Sequence, residues 1–223
     1  MTRDFAVLLL SITQLSSANP LPGHLKFAPA KFSPTLPSTG GPTSLPSTNL
    51  TLQYIALGRG IQNYTCASLC SAPVALGAVA TLYDATTLAK TNEALLNTMP
   101  GKAVMIPPSR DGYDLPPPAN NLRVLGHHYF AADSTPTFNL TAVNKILFGK
   151  KNGDIPAPVG APKGPSGNGA VDWLSLVEKP DYSESVGLGQ VYRVETAGGN
   201  PPAACSSTGV VSVQYAAEYW FYA

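Results

Sequence analysis

The last stretch of the chain has a strict two-residue periodicity, which limits the possible fold more than any other feature. Over residues 210–222, apolar or aromatic positions alternate with a mixed set. The first set is Val211, Val213, Tyr215, Ala217, Tyr219 and Phe221, and the second is Ser212, Gln214, Ala216, Glu218, Trp220 and Tyr222. Because side chains on a strand alternate between the two faces of a sheet, this pattern predicts a half-buried β-strand.

Shorter β-type runs occupy most of the chain before it, separated by Gly and Pro. They cover residues 52–57, 61–66, 76–83, 122–130, 137–141, 171–177 and 191–196. One short helix is predicted over residues 86–98, where Leu88, Leu95 and Leu96 have nearly helical spacing and Pro100 follows. Many short strands with one short helix predict an all-β domain, either a β-sandwich or a β-barrel, with long Pro/Gly loops.

The chain divides into three segments by composition. Residues 1–18 hold an apolar run of eight, 5–12, followed by Ser16 and Ala18 at cleavage-site spacing, which predicts a cleaved signal peptide and a secreted, extracellular or cell-wall protein. Residues 19–49 are rich in Pro, Ser and Thr and predict an extended linker or leader. Residues 50–223 then form a single β-rich domain.

Charge and hydropathy exclude several classes of protein. Charged residues are only 12% of the chain and the formal net charge is +1, which argues against a nucleic-acid-binding protein. No stretch approaches the ~18 apolar residues that a membrane span needs. The Cys and His spacing offers no metal site, and we expect no cofactor.

Three cysteines follow the signal peptide: Cys66, Cys70 and Cys205. In an oxidising compartment, one disulfide and one free thiol are expected. The preferred pair is Cys66–Cys205, which would tie an early strand to the last one, and Cys66–Cys70 is the local alternative.

Three asparagines lie in glycosylation acceptor sequences: Asn49, Asn63 and Asn139, each followed two residues later by Thr. Glycosylation at these positions requires their side chains to face solvent.

Several segments in order resemble one known family. They are residues 56–66 (ALGRGIQNYTC), 78–83 (AVATLY), 128–129 (HY), 136–138 (PTF), 171–176 (VDWLSL), 191–202 (VYRVETAGGNPP), Cys205 and 215–222 (YAAEYWFY). Together they resemble the secreted family catalogued as domain of unknown function 3455, in its fungal form. The resemblance implies an extracytoplasmic β-rich domain with no established activity. The family's two cysteines match Cys66 and Cys205, which supports that pairing.

Fungal relatives in this family are often labelled malate dehydrogenase, and the sequence gives this activity no support. A dinucleotide site needs a strand, a G-x-G-x-x-G turn and a helix. The nearest match, Gly187-Leu-Gly189, lacks the third glycine and precedes a predicted strand.

Some polar residues are candidates for a site. His127 and His128 should point to opposite faces of a strand, and His128 is a candidate for a catalytic residue. Arg193 and Glu195 lie two apart on one predicted strand and should share a face. Either they form an ion-pair ladder with Glu218, or Arg193 lies in a polar cleft and recognises a carboxylate or sugar hydroxyls.

The remaining candidates are binding residues. Arg59 and Gln62 lie around the first predicted turn, Gly58-Arg59-Gly60, and Trp173 offers an aromatic surface for a sugar ring. No standard catalytic signature is present. We expect a secreted, non-catalytic binding module for a wall polysaccharide or an extracellular protein, such as an effector or protease inhibitor. The alternative is an extracellular hydrolase or lyase that uses His128, Arg193 and Glu195, and a passive surface component is the third possibility.

Overall fold

The computed structural model describes residues 33–107, 115, 119–180 and 182–223. The predicted signal peptide and the first part of the predicted leader lie outside these residues. The elements in chain order are β1 (Leu52–Cys66), β2 (Val74–Asp84), α1 (Thr86–Ala103), β3 (Val124–Phe130), β4 (Pro136–Leu140), β5 (Lys145–Ile155), β6 (Trp173–Glu178), β7 (Gln190–Gly198) and β8 (Gly209–Tyr222). Two 3₁₀ turns, Ala119–Asn121 and Thr141–Val143, connect them.

The eight strands form a closed barrel in which each strand pairs antiparallel with the next. β8 closes the barrel on β1, in a register that runs from Leu52 opposite Tyr222 to Cys66 opposite Gly209. The predicted all-β class with one helix is confirmed. Of the two predicted architectures, sandwich and barrel, the structure has the barrel. Helix α1 is longer than predicted, since it continues through Pro100 to Ala103.

Gly58 and Gly60 were expected to form a turn between two strands, but they lie inside the single long strand β1. Each is required by close packing. A Cβ on Gly58 would lie 2.4 Å from the Tyr219 ring, and one on Gly60 would lie 2.0 Å from the Val79 carbonyl oxygen. Both positions therefore exclude any side chain.

The barrel interior is filled at one end by large side chains from around the sheet. Leu82, Phe138, Tyr215, Tyr219 and Phe221 are among its fully buried members. On β8, the interior residues are the apolar and aromatic set that the sequence periodicity identified.

Helix α1 packs against the outside of β1, β7 and β8 and forms a second core with them. The helix is kinked at Asn92, whose side-chain Oδ1 accepts a hydrogen bond from the Leu95 backbone amide and so caps the second half. The helix covers the second face of β8, so Ala216, Glu218 and Trp220 are also buried. The expectation of a half-buried strand is therefore wrong for this part of β8.

Residues 33–48, which we call the strap, belong to the segment 19–49 that was predicted to be an extended linker or leader, and they pack on the barrel wall. Leu36 and Leu45 contact the outer core, and the Tyr192 hydroxyl donates a 2.7 Å hydrogen bond to the Pro46 carbonyl. A cavity of about 410 Å³ lies between the strap and a wall that includes Trp173 and Tyr222. This part of the leader belongs to the same compact unit as the barrel.

Candidate binding site at the barrel mouth

A disulfide between Cys66 and Cys205 lies at the end of β1. The predicted pairing is confirmed, and Cys70 is free and exposed. Backbone hydrogen bonds from Cys70 N to Cys205 O and from Cys205 N to Ser71 O flank the bridge. The disulfide thus holds the loop between β7 and β8 against the end of β1.

An open cavity of about 450 Å³, which we call the barrel mouth, lies at this end of the barrel. Residues from β1, β2, β3, β6, β7 and the following loop line it, and they include Gln62, Tyr64, Phe130, Leu174, Arg193 and Asn200. The loop is fixed beside the mouth because the Tyr64 hydroxyl donates to the Gly199 carbonyl at 2.7 Å and Asn200 Nδ2 donates to the Ala170 carbonyl at 3.0 Å. The site is therefore built on strands and on a braced loop.

Arg193 is the buried cation of the barrel mouth and is only 9% exposed. Its Nε and Nη2 donate to the backbone carbonyl of Asp172, at 3.3 and 2.8 Å. Two ion pairs occur among the described residues, Lys151–Asp154 and Lys179–Asp133, and neither includes Arg193. The guanidinium is thus oriented by neutral groups, the Asp172 carbonyl and the Tyr219 hydroxyl. Asp154 and Asp172 also line the mouth, but Arg193 forms an ion pair with neither among the described residues.

The charge of Arg193 acts on the buried groups next to it. Burial raises the pKa of the Tyr219 phenol, and the positive charge of Arg193 opposes that rise. Burial lowers the pKa of His128 to about 4, the hydrogen bond with Thr137 opposes this, and Arg193 adds to the lowering. The field of Arg193 therefore favours negative charge in this part of the interior.

Gln62 lies on the same face of β1 as Tyr64 and is 8% exposed. Its side-chain amide makes no hydrogen bond to the described part of the chain, and the residue lines the barrel mouth. A buried amide usually has a hydrogen-bond partner. A ligand in the cavity could supply this partner. Gln62 is therefore a candidate ligand-binding residue beside Arg193.

His128 is a core residue of the barrel interior. Its ring stacks on Phe138 with the centroids 4.2 Å apart, and Nδ1 lies 2.9 Å from the Thr137 carbonyl oxygen. His127, its neighbour, is exposed, as the alternation of a strand predicts. The lowered pKa keeps the His128 ring neutral at physiological pH, and the ring is not among the groups that line the mouth.

Arg193 and Glu195 were expected to share a face, and the structure contradicts this. The pairing of β7 with β8 shifts between Val194 and Ala197, and Glu195 has a φ of 46°. This β-bulge interrupts the alternation. Glu195 is close enough to Glu218 to raise its pKa, so the two carboxyls lie on the helix side of the barrel wall and Arg193 faces the interior.

Three other candidate residues also lie outside the mouth. Arg59 is buried on the helix side, where it donates to the carbonyls of Tyr215 at 3.2 Å and Ile106 at 2.7 Å and to the Gln214 side chain. Glu218 is buried beneath α1, and Trp173 beneath the strap. The expected ion pair of Arg193 with Glu218 is absent from the described residues.

Of the binding residues proposed from sequence, the structure thus brings Gln62 and Arg193 together. Tyr64, Phe130 and Asn200 complete the surroundings and were missed. Tyr64 could have been found, because it lies two residues after Gln62 on one strand. Asn200 and Phe130 could not, because their place depends on the register and closure of the barrel.

The described residues contain no group of three or more His, Cys, Asp or Glu side chains arranged to hold a metal ion. No helix in the described ranges is long and apolar enough to cross a lipid bilayer.

The three asparagines of the acceptor sequences differ in exposure. Asn49 is exposed, whereas Asn63 and Asn139 are partly exposed. Asn63 Oδ1 accepts a 2.7 Å hydrogen bond from Ser212 on β8. Glycosylation of these residues stays a prediction.

Comparison with known families gives one match. The chain belongs to the family described as "Protein of unknown function (DUF3455)", which matches residues 46–223, including the last residues of the strap. No curated protein and no solved structure was found to match the chain.

Proposed function

We propose that this protein is an extracellular, non-catalytic binding module whose ligand site is the barrel mouth. The observation that carries the proposal is the convergence of the Arg193 guanidinium and the Gln62 amide on one cavity of about 450 Å³. Ligand sites are typically concave, mostly apolar and equipped with a few oriented polar groups. The ligand would be a group of a wall polysaccharide or of an extracellular partner protein that enters the mouth.

The surroundings of Arg193 favour binding over catalysis. General acid–base catalysis needs a group with a suitable pKa within hydrogen-bond reach of the substrate. His128 is stacked in the core with a lowered pKa, and Glu195 lies on the other side of the barrel wall. The alternative, a hydrolase or lyase built on His128, Arg193 and Glu195, would need these groups on one cavity.

Export from the cell is supported by two features of the chain. The Cys66–Cys205 disulfide is of the kind that persists in oxidising compartments. The apolar run and cleavage-site pattern at residues 5–18 provide a route to such a compartment.

The proposal can be tested by blocking the mouth. Ala75 is exposed and lines the cavity, so Ala75→Trp should fill it. The matched control is Val159→Trp, in an exposed loop outside the cavity. The protein from residue 19 onward would be screened against glycans and small organic ligands. We expect any ligand found to bind the control like wild type and to lose about tenfold or more in affinity for Ala75→Trp.

Two outcomes would contradict the proposal. One is a ligand that Ala75→Trp binds as tightly as wild type, since its site would then lie elsewhere. The other is conversion of a bound ligand to product by the wild-type protein, measured by mass spectrometry, since the module would then be an enzyme.

A further inference from the structure

We infer that the barrel mouth binds a monocarboxylate carried on a largely apolar body, with the carboxylate on the Arg193 guanidinium and a second polar atom of the ligand on the Gln62 amide. This inference rests on the proposed function, because it assigns a ligand class to the same site.

The first argument is the charge balance of the barrel interior. Arg193 is a buried cation, and the ion pairs among the described residues leave it out. His128, the nearest interior imidazole, is neutral at physiological pH because burial lowers its pKa. A buried cation without a counter-ion is costly, and a bound anion would compensate it.

The second argument is the orientation of the guanidinium. Nε and Nη2 both donate to the carbonyl oxygen of Asp172, which fixes the plane of the group without neutralising it. A guanidinium carries five N–H donors, so donor capacity remains after these two bonds and a further hydrogen bond with the Tyr219 hydroxyl. A carboxylate matches the remaining N–H donors in charge and can accept hydrogen bonds from them.

The third argument is the free hydrogen-bonding capacity of Gln62. The residue is 8% exposed and lines the mouth, and its amide has no hydrogen-bond partner in the described chain. It offers both a donor and an acceptor to a ligand. This observation is independent of Arg193 and points to the same cavity.

The charged and apolar residues that line the mouth define the charge and the body of the ligand. Lys151, Asp154 and Asp172 also line the mouth; the Lys151 ammonium pairs with Asp154 at 3.0 Å, and Asp172 forms no ion pair with Arg193 among the described residues, so Arg193 supplies the positive charge without a paired counter-ion. A single cation matches a monoanion better than a phosphate dianion. Phe130, Leu174 and Leu76 supply apolar surface to the cavity, which is larger than a carboxylate alone requires.

Two sources can present such a carboxylate: a free organic acid, or an acidic sugar at a chain end. The test therefore has two arms, run by isothermal titration calorimetry on the protein from residue 19 onward. The first arm compares 3-phenylpropanoate with its uncharged analogue, 3-phenylpropanamide. The second compares a glucuronate-terminated disaccharide with the corresponding glucose-terminated disaccharide. Inorganic phosphate serves as the dianion probe.

We expect at least one carboxylate to bind, and its neutral analogue and phosphate to bind about tenfold or more weakly, because hydrogen bonds to charged groups are the strong ones. Arg193→Gln should lose this discrimination. Arg123→Gln, a change at an exposed arginine on another part of the surface, should bind like wild type. Gln62→Ala should weaken binding by a smaller factor.

Equal affinity of the wild type for acid and amide would overturn the inference, as would absence of binding by all carboxylate probes, tighter binding of phosphate, or retention of discrimination in Arg193→Gln. The acid-to-amide comparison on wild type still decides the matter if Arg193→Gln does not fold. A neutral ligand that Ala75→Trp excludes would leave the proposed function standing and the carboxylate inference overturned. Carboxylate binding that survives Ala75→Trp would contradict both.

Discussion

The indole Nε1 of Trp220 donates a 2.9 Å hydrogen bond to Oε2 of Glu218, in the space between the barrel wall and helix α1. Asn97 of the helix, in the amide orientation that satisfies its neighbours, donates to Oε1 of the same carboxyl at 3.0 Å. Burial raises the pKa of Glu218 to about 8; the Trp220 hydrogen bond opposes this, and the Glu195 and Glu93 carboxylates add to the rise. The contact between barrel and helix thus includes a carboxyl that is protonated at neutral pH.

The first prediction concerns the pH dependence of stability. Below pH 4.5, Glu218 is protonated in both the folded and the unfolded chain, so it makes its full contribution to the free energy of unfolding. As the pH rises from 4.5 to about 8, the unfolded chain loses this proton and the folded protein retains it, so the free energy of unfolding falls. The loss should amount to a few kcal/mol, since one pKa unit corresponds to about 1.4 kcal/mol.

The variant Glu218→Gln should remove this dependence, because the amide is uncharged at every pH. Chemical denaturation from pH 4 to 9 should show the variant gaining stability relative to wild type as the pH rises. Glu178→Gln, at an exposed position of β6, is the control and should follow the wild-type profile. A constant difference between Glu218→Gln and wild type over this range would contradict the prediction.

The second prediction compares the two tryptophans, which are both fully buried but differ in hydrogen bonding. Trp220 Nε1 is bonded to Glu218, whereas Trp173 Nε1 has no partner among the described residues. Replacement by Phe removes an indole in each case. Trp220→Phe should cost about 1–2 kcal/mol more than Trp173→Phe, because it also leaves Oε2 of the buried Glu218 carboxyl without its donor. Equal costs in urea denaturation would show that the hydrogen bond adds no stability.

Most of the fold could be predicted from the sequence, because the alternation of residues on β8 identifies the side chains that face the barrel interior. Tyr215, Tyr219 and Phe221 were placed on one face, and they fill the interior. The burial of the other face by α1 could not be predicted, because it depends on where a helix packs. Gly58 and Gly60 predict a turn, because glycine is a common turn residue, but close packing is the reason for glycine at both positions.

The candidate site was only partly predictable from the sequence. Gln62 and Arg193 were named from residue type and strand position, and they meet at the mouth. The separation of Arg193 from Glu195 could not be foreseen, because the bulge gives Glu195 a positive φ, which is uncommon for a residue with a side chain. A one-residue irregularity in a strand moves a side chain to the opposite face.

The third prediction follows from the tight contact at Gly60. A methyl group there would meet the backbone of Val79 and Ala80, which cannot move without disturbing the pairing of β1 with β2. Gly60→Ala should therefore lower stability by about 2 kcal/mol or more. Gly160→Ala is the control, since nothing lies within 4 Å of its Cβ position. A thermal midpoint for Gly60→Ala equal to that of the control would show that the strands separate easily.

The fourth prediction uses the strap as a reporter segment. The chain has two tryptophans, so Trp220→Phe leaves Trp173, beneath the strap, as the sole source of indole fluorescence. In that background, Leu45→Ser should weaken the packing of the strap on the outer core and shift the emission of Trp173 to longer wavelength. Leu69→Ser, at an exposed leucine, is the control. Unchanged emission in Leu45→Ser would indicate that Leu45 does not hold the strap in place.

The last prediction concerns the disulfide, which joins residues separated by 139 positions. Closing so long a loop restricts the unfolded chain strongly, so the Cys66→Ser/Cys205→Ser double variant should lose about 3–5 kcal/mol of stability. Cys70→Ser, next to the bridge in space but exposed and unpaired, should stay within about 0.5 kcal/mol of wild type. Denaturation with and without reductant separates the two effects, because reduction should destabilise Cys70→Ser as much as wild type and leave the double variant unchanged. A double variant as stable as oxidised wild type would mean that the strand pairing of β1 with β8 holds the two ends of the domain together without the bridge.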